Sequence, residues 1–599
     1  MILLGLAGAG GVITLLLLPD LLLIPAGYVP LKLRRWWAEG LAIALLAAIT
    51  AIRWLVRAWP GAGDRAGRIA KLDRVDRRMD RAWEAGLAAA VGLACVGFLA
   101  TWVPHYLTWP WSRDEDTFCV LALSWDRGIL PYRDIRAFNF PGAIYLFWGL
   151  GKAFGWGRTV PFYALDAGCV VLLGVLLAAW SRRTLGGALP GLVGYLAFLV
   201  SYLSMTFERT GQRDWHAAFL VCSGLLAAQA WPGRRSRIAS ALTTALALSI
   251  RPHVVLFLPA LAAAIAVPGP APGSAPSRRA RVVLEWSAWL GVFLALAFSP
   301  LIACGIVDDL VRNLRVTAYG GPFSRATPAG AIRTFLGQFR DWRTTAPLVA
   351  TLLLAASPAG RLARVARPWA LAWLGAAVYR PLHPVDRGYL VHPLLLVTSI
   401  SWALAVSWIA TVRGPSWPVR AVAIALLAYE LVPVPPWMCS PVASVLAVRD
   451  LAAGELPQKP PLGCLQPFPD RDLTPSSWDA YRDVLRYLRR STGPGTYVAN
   501  VLNRYPYESL NGPAGRLSPF RTESGLCWLS WVDMDLDGEF ARELRDATDS
   551  VVVWEPRQDR VDPAMRLERV IEVIRGDYEP EARFGKVEVW RRKPRGSPP

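Results

Sequence analysis

From its first residue to about Trp437 the chain returns repeatedly to apolar runs about as long as a bilayer is thick. A helix of ~20 residues spans the ~30 Å hydrocarbon core. In lipid every backbone polar group must be satisfied within the segment, so such runs fold as helices. They fall near residues 1–24, 38–56, 85–107, 159–180, 187–205, 214–231, 239–250 with 253–267, 283–304, 343–357, 369–379, 390–411 and 419–437. Of the 599 residues, 54% are hydrophobic, above the ~45–50% of soluble domains. The expected fold is an α-helical polytopic membrane bundle of about 11–13 spans.

A net charge of +20 would suit a nucleic-acid partner, but the basic residues form no stripe with interleaved aromatics. They sit in short clusters between apolar runs: 65–81, Arg182-Arg183, 233–237, 277–281, 361–367 and 412–420. The other set of loops carries the acids: the loop at Asp114, 208–214, 305–342 and 381–389. Positive-inside counting puts the basic set in the cytoplasm, which favours the cytoplasmic membrane, and excludes a nucleic-acid partner. Lys32, Arg34 and Arg35 fit this alternation less well than the rest. Residues 1–25 lack a basic leading region and a small-residue cleavage site, so they are expected to stay as a helix. The eight cysteines form no CxxC pair. Cys95, Cys169, Cys222 and Cys304 lie in apolar runs as small core residues, and Cys439, Cys464 and Cys527 can pair in an oxidising compartment.

Past Trp437 the composition changes. Residues 438–473 are a Pro-rich linker after the membrane core of 85–437, with 1–84 preceding it as N-terminal helices and a basic loop. From 474 the pattern becomes helix at 477–490, strand at 496–502, helix at 539–548, strand at 550–555, helix at 566–574 and strand at 586–592. Such alternation predicts a small C-terminal α/β domain, 474–599, lying outside the cytoplasm.

The candidate site lies among the acidic loops. RDEDTF, Arg113 to Phe118, sets Asp114, Glu115 and Asp116 just past the span 85–107. All five histidines (His105, His216, His253, His383, His392) map to the same ends of predicted spans, with Arg209, Arg213, Arg251, Arg380 and Arg387. Arg251-Pro252 interrupts two short apolar runs whose outer flanks are both basic, so these form a hairpin with Arg251 and His253 at its tip. An ionisable residue near that depth is expected to be functional. Guanidinium groups match phosphate oxygens bidentately, and a carboxylate beside them can take a proton from an attacking hydroxyl.

These residues give the chain a family resemblance. Asp114-Glu115, Gly128, Pro131-Tyr132, the segment Asn139 to Trp148, Arg251-Pro252 and the segment His383 to Pro393 follow one another as in the GT-C fold membrane glycosyltransferases. That group contains the protein O-mannosyltransferases and the lipid A aminoarabinose transferase. The resemblance covers about 85–437, and the third acid, Asp116, departs from its pattern. It implies a GT-C-like bundle and a donor in which a sugar is linked to polyprenyl phosphate. The acceptor hydroxyl would be on a lipid, glycan or protein, and the products would form in one inverting step. Asp114 would be the base, with Glu115 a supporting partner. Arg251, with Arg213, Arg387, His253 and His383, would hold the donor phosphate. No cofactor is implied, although Asp114, Asp116 and a histidine can together hold a divalent metal. Two other classes compete: a transporter, which would show paired repeats with broken spans, and a membrane-anchored binding or assembly protein of the cell envelope.

Overall fold

The computed structural model describes residues 65–205, 207–266, 276–319, 328–358, 360–383, 388–411, 423–424, 427, 441–454, 475–502, 507–522, 535–556 and 567–594. The runs 1–24 and 38–56, the charges at Lys32, Arg34 and Arg35, most of 419–437, Cys439, Cys464, Cys527 and Arg387 lie outside these.

The described chain is a helical bundle with a small mixed sheet at its C-terminal end. The bundle helices are α1 (Arg65–Tyr106), α2 (Arg113–Asp126), α3 (Gly142–Phe154), α4 (Val160–Thr184), α5 (Leu189–Leu203), α6 (Arg213–Ala230) and α7 (Arg234–Ile250). A 3-10 turn, Pro252–Phe257, leads into α8 (Leu258–Ala266). Then come α9 (Pro276–Ala303), α10 (Val307–Tyr319), α11 (Pro328–Gly337), α12 (Trp342–Ala356), α13 (Arg361–Leu382), α14 (His392–Thr411) and α15 (Pro441–Ala453). Among the described residues four stretches are long and apolar enough to cross a membrane: Ala82–Tyr106, Val160–Thr184, Arg279–Ala303 and Gly388–Thr411. With the shorter apolar helices beside them, the chain is a multi-pass membrane protein.

Five basic clusters expected as loops are helical instead among the described residues. Residues 65–81 continue without a break into α1, Arg182-Arg183 lie in the last turn of α4, and 234–237, 277–281 and 361–367 form the first turns of α7, α9 and α13. Arginine, alanine and leucine are good helix formers, so the helix runs past the point where hydropathy falls. The same end of the bundle also holds a half-buried amide. Gln229 Oε1 accepts from Trp180 Nε1 and Trp369 Nε1, each at 2.9 Å, and its Nε2 donates to Val365 O at 3.0 Å. Nearby, Arg361 donates to Arg183 O at 2.7 Å, and Arg237 pairs with Glu285 at 2.8 Å. The clusters assigned to one side of the membrane by charge counting are thus neighbours in space.

The C-terminal domain contains α16 (Pro475–Ser491), β1 (Tyr497–Asn500), α17 (Leu536–Asp546), β2 (Ser550–Trp554), α18 (Glu568–Asp577), β3 (Tyr578–Phe584) and β4 (Val587–Arg592). The strand order is β1-β2-β4-β3; β1 and β2 are parallel and the other pairs antiparallel. Side chains alternate across a strand. Val551 and Val553 therefore join the α16 core, while Val552 and Trp554 join the core under α17 and α18. That is why β2 reads as an unbroken apolar run: both its faces are covered. The edge strand β3 was not legible in sequence, because YEPEARF is polar and carries a proline, both tolerated only at an edge.

Candidate active site

Pro252 sterically disfavours helical backbone at the residue before it. Arg251 is accordingly extended (φ −142°, ψ 110°) where α7 ends. The break turns its side chain inward, where Arg251 Nη2 donates to Asp214 Oδ2 at 2.6 Å. Tyr379 Oη donates to Asp214 Oδ1 at 2.7 Å. Asp214 is fully buried and the Arg251 side chain 8% exposed. Arg251 is therefore engaged by a carboxylate, with Nε left without a hydrogen-bond partner. The His253 ring lies 5.5 Å from that of Tyr379 and 5.3 Å from that of His383.

The three acids on α2 have three different surroundings. Glu115 is buried in a capping box, its Oε2 accepting from Ser112 N at 2.9 Å and from the Ser112 hydroxyl. Burial outweighs those hydrogen bonds and pushes its carboxyl up to about 8. Asp116 is buried too, and its Oδ1 accepts from Gly512 N at 2.6 Å, tying α2 to the C-terminal domain. Asp114 keeps the most open side chain, 32% exposed, with Oδ2 3.6 Å from Arg213 Nη1. That separation is an ion pair but too long for a hydrogen bond.

Arg213, the first residue of α6, has its guanidinium 4.9 Å from the Phe118 ring centroid, and its Nε and Nη1 lack hydrogen-bond partners. It stands at a narrow pocket walled by Phe118, Phe147 and Phe162, into which Glu115, Gln212 and His216 also face. Arg213 and His216 are three residues apart on α6 and so share a helix face.

Sequence reasoning missed two carboxylates. Asp214 passed as part of a loop acid cluster, and Asp166 lay unremarked within an apolar run. Asp166 is fully buried on α4, and its oxygens accept from Tyr106 Oη at 2.8 Å, Tyr202 Oη at 2.9 Å and Trp215 Nε1 at 2.9 Å. His216 Nε2 lies 2.7 Å from Asp166 Oδ1. A lone acid inside a span was the available signal.

The structure thus brings Asp114 and Arg213 together and places Arg251, Asp214, Tyr379, His253 and His383 in a second group. Asp114 and Asp116 face different partners. Among the described residues no group of three or more His, Cys, Asp or Glu is arranged to hold a metal ion. The C-terminal domain rests directly on this end of the bundle. Arg489 donates to Gly157 O and Pro513 O, each at 2.7 Å. Arg136 pairs with Glu539 at 2.9 Å. Gly512 is glycine by necessity, since a Cβ there would lie 2.8 Å from Asp116 Oδ1 and 3.1 Å from the Trp111 ring.

No family model and no curated protein matches the chain. Its structure is similar to that of ArnT from Cupriavidus metallidurans, with a TM-score of 0.49 and 13% identity over 85% of this chain and 98% of that one. It is also similar to the Archaeoglobus fulgidus oligosaccharyltransferase, with a TM-score of 0.43 and 12% identity over 78% of this chain and 70% of that one.

Proposed function

We propose that the protein is a membrane glycosyltransferase that moves a sugar from a polyprenyl-phosphate donor to an acceptor hydroxyl on a lipid, glycan or protein. The observation that carries this reading is the pairing of Asp114, the most open acid of the three on α2, with an arginine whose Nε and Nη1 have no hydrogen-bond partner. Asp114 takes the proton of the acceptor hydroxyl as its oxygen attacks the anomeric carbon from the face opposite the phosphate. The carbon–oxygen bond to phosphate breaks, its electron pair leaves with the polyprenyl phosphate, and the anomeric centre is inverted. Arg213 meets the charge that grows on that phosphate, where a fixed donor lowers the barrier most. Arg251, held by Asp214, lies behind it with the His253 and His383 rings at hand as polar neighbours. The core is 85–437, in the cytoplasmic membrane, and the site and the 474–599 domain face away from the cytoplasm.

The test is transfer by purified protein in bilayers from a panel of polyprenyl-phosphate sugars, followed by release of free polyprenyl phosphate. Asp114→Asn keeps the shape of the residue and removes its basicity, so turnover falls ~10²–10⁴-fold while the protein stays folded. Wild-type turnover by that variant refutes Asp114 as the base; turnover with no sugar of the panel refutes the donor class.

A further inference from the structure

Four helices end alike at the end of the bundle away from Asp114. Arg361, at the start of α13, donates to Arg183 O in the last turn of α4 at 2.7 Å. The Arg183 guanidinium lies 5.0 Å from the ring of Trp231, between α6 and α7. Arg237 of α7 pairs with Glu285 of α9 at 2.8 Å. The end of α4 and the starts of α7, α9 and α13 are thus gathered on one side.

Each of the four carries an outward apolar stripe. Val175 on α4 is 60% exposed and Leu284 on α9 68%, and Leu242 on α7 and Leu371 on α13 are exposed too. In a chain that spans a membrane such faces lie against acyl chains, which are as apolar as leucine. Each stripe is headed by an exposed arginine: Arg182, Arg281, Arg235 and Arg364 in the same order. Positions 175 and 182, 235 and 242, and 364 and 371 are each nearly two full turns apart, so each pair shares a face about 10 Å long. Arg281 and Leu284 are neighbours one turn apart. An arginine so placed runs its methylenes along the helix and holds its guanidinium at headgroup level.

Among the described residues no carboxylate pairs with Arg182, Arg235, Arg281 or Arg364. The acids at this end whose side chains are described are Glu285, held by Arg234 and Arg237, and Glu84, beside Gly187. The opposite end is mixed in sign, for Arg133 and Arg312 share Asp309 and Lys152 pairs with Asp126.

We propose that Arg182, Arg235, Arg281 and Arg364 are headgroup sites for anionic phospholipids in the leaflet at this end, with the stripes below them holding the acyl chains. The guanidinium fork matches two phosphate oxygens. A lipid of net negative charge is preferred to a zwitterionic one, whose own cationic group the same arginines repel. This surface lies apart from the Asp114–Arg213 pair and does not depend on the transferase reading.

The experiment titrates the whole protein, purified in neutral detergent, with phosphatidylglycerol and with phosphatidylcholine of the same acyl chains, and counts bound lipid by native mass spectrometry. A basic residue at an anionic membrane surface is worth about fivefold in binding. Wild type should favour phosphatidylglycerol by ~10-fold or more, and added salt should narrow the gap. Changing Arg182, Arg235, Arg281 and Arg364 together to glutamine should bring the two lipids level. The same loss of charge at the opposite end, with Arg127, Arg158, Arg312 and Arg315 changed to glutamine, should leave the preference in place. If the first fourfold variant does not fold, Arg182→Gln and Arg364→Gln singly should each lower the preference about fivefold. Glycerol phosphate in excess should displace no lipid, because it brings no acyl chain to the stripes; displacement by it means a site for soluble phosphate and overturns the proposal. So does equal binding of the two lipids by wild type, or an equal loss of preference in the two fourfold variants.

Discussion

Replacing Arg251 with alanine strips a carboxylate of its cation in a place water does not reach. Asp214 has no exposure, and its two side-chain partners are Arg251 at 2.6 Å and Tyr379 at 2.7 Å. Losing the first leaves one neutral hydrogen bond to a buried charge, a change that costs about 3–5 kcal/mol. Arg213 also bears electrostatically on Asp214, so the cost should lie at the lower end, about 3 kcal/mol. Tyr379→Phe removes a neutral donor and leaves the ion pair, which costs about 1–3 kcal/mol. Arg251→Met combined with Asp214→Leu removes both charges and should cost less than Arg251→Ala alone, because the penalty comes from the stranded partner rather than from a lost attraction. Unfolding of the four proteins in mixed micelles, followed by circular dichroism, gives the ordering. If Arg251→Ala is no more damaging than Tyr379→Phe, or the double variant is the worst of the set, Asp214 is not held as a buried anion.

Glu115 sets a pH dependence. Its carboxyl is held at about 8 in the fold against an ordinary value of 4.5, so between those limits the native protein binds a proton that the unfolded chain has released. Stability should fall by up to about 1.4 kcal/mol per pH unit across that window and level off above it. In Glu115→Gln that slope should be absent when melting is compared from pH 5 to pH 9; an unchanged slope excludes Glu115 as its source. Gly512→Ala places a methyl group against Asp116 Oδ1, the Trp111 ring and Cys119 Cβ, and should cost about 1–3 kcal/mol. Limited proteolysis should then release the C-terminal domain faster than in wild type, whereas equal resistance would mean the contact is loose.

What the sequence made legible was whatever repeats along it. Apolar runs located the bundle helices, and basic clusters sorted their ends, because hydropathy and charge are properties of a stretch. The helix and strand alternation after 474 held for the same reason, down to the doubly covered β2. The two inner carboxylates were hidden because their meaning lies in partners far along the chain. Asp166 meets Tyr106 and His216, 60 and 50 residues away, and Asp214 meets Tyr379 across 165. Likewise nothing in the string RDEDTF tells which acid is capped, which is tied to the C-terminal domain and which stays open; that sorting comes from Ser112, Gly512 and Arg213.

The bond between Asp116 and Gly512 joins residues 396 positions apart. A ribosome makes the helix bearing the three acids early and the glycine that seats it late. While the intervening chain is being synthesised, α2 lies at the end of its span without its final neighbour. The nascent protein can therefore thread its spans into the bilayer before Asp116 gains its last partner. A chain cut short before residue 512 would leave that carboxylate without this partner. Synthesis of residue 512 supplies the contact that joins the acidic helix to the C-terminal domain.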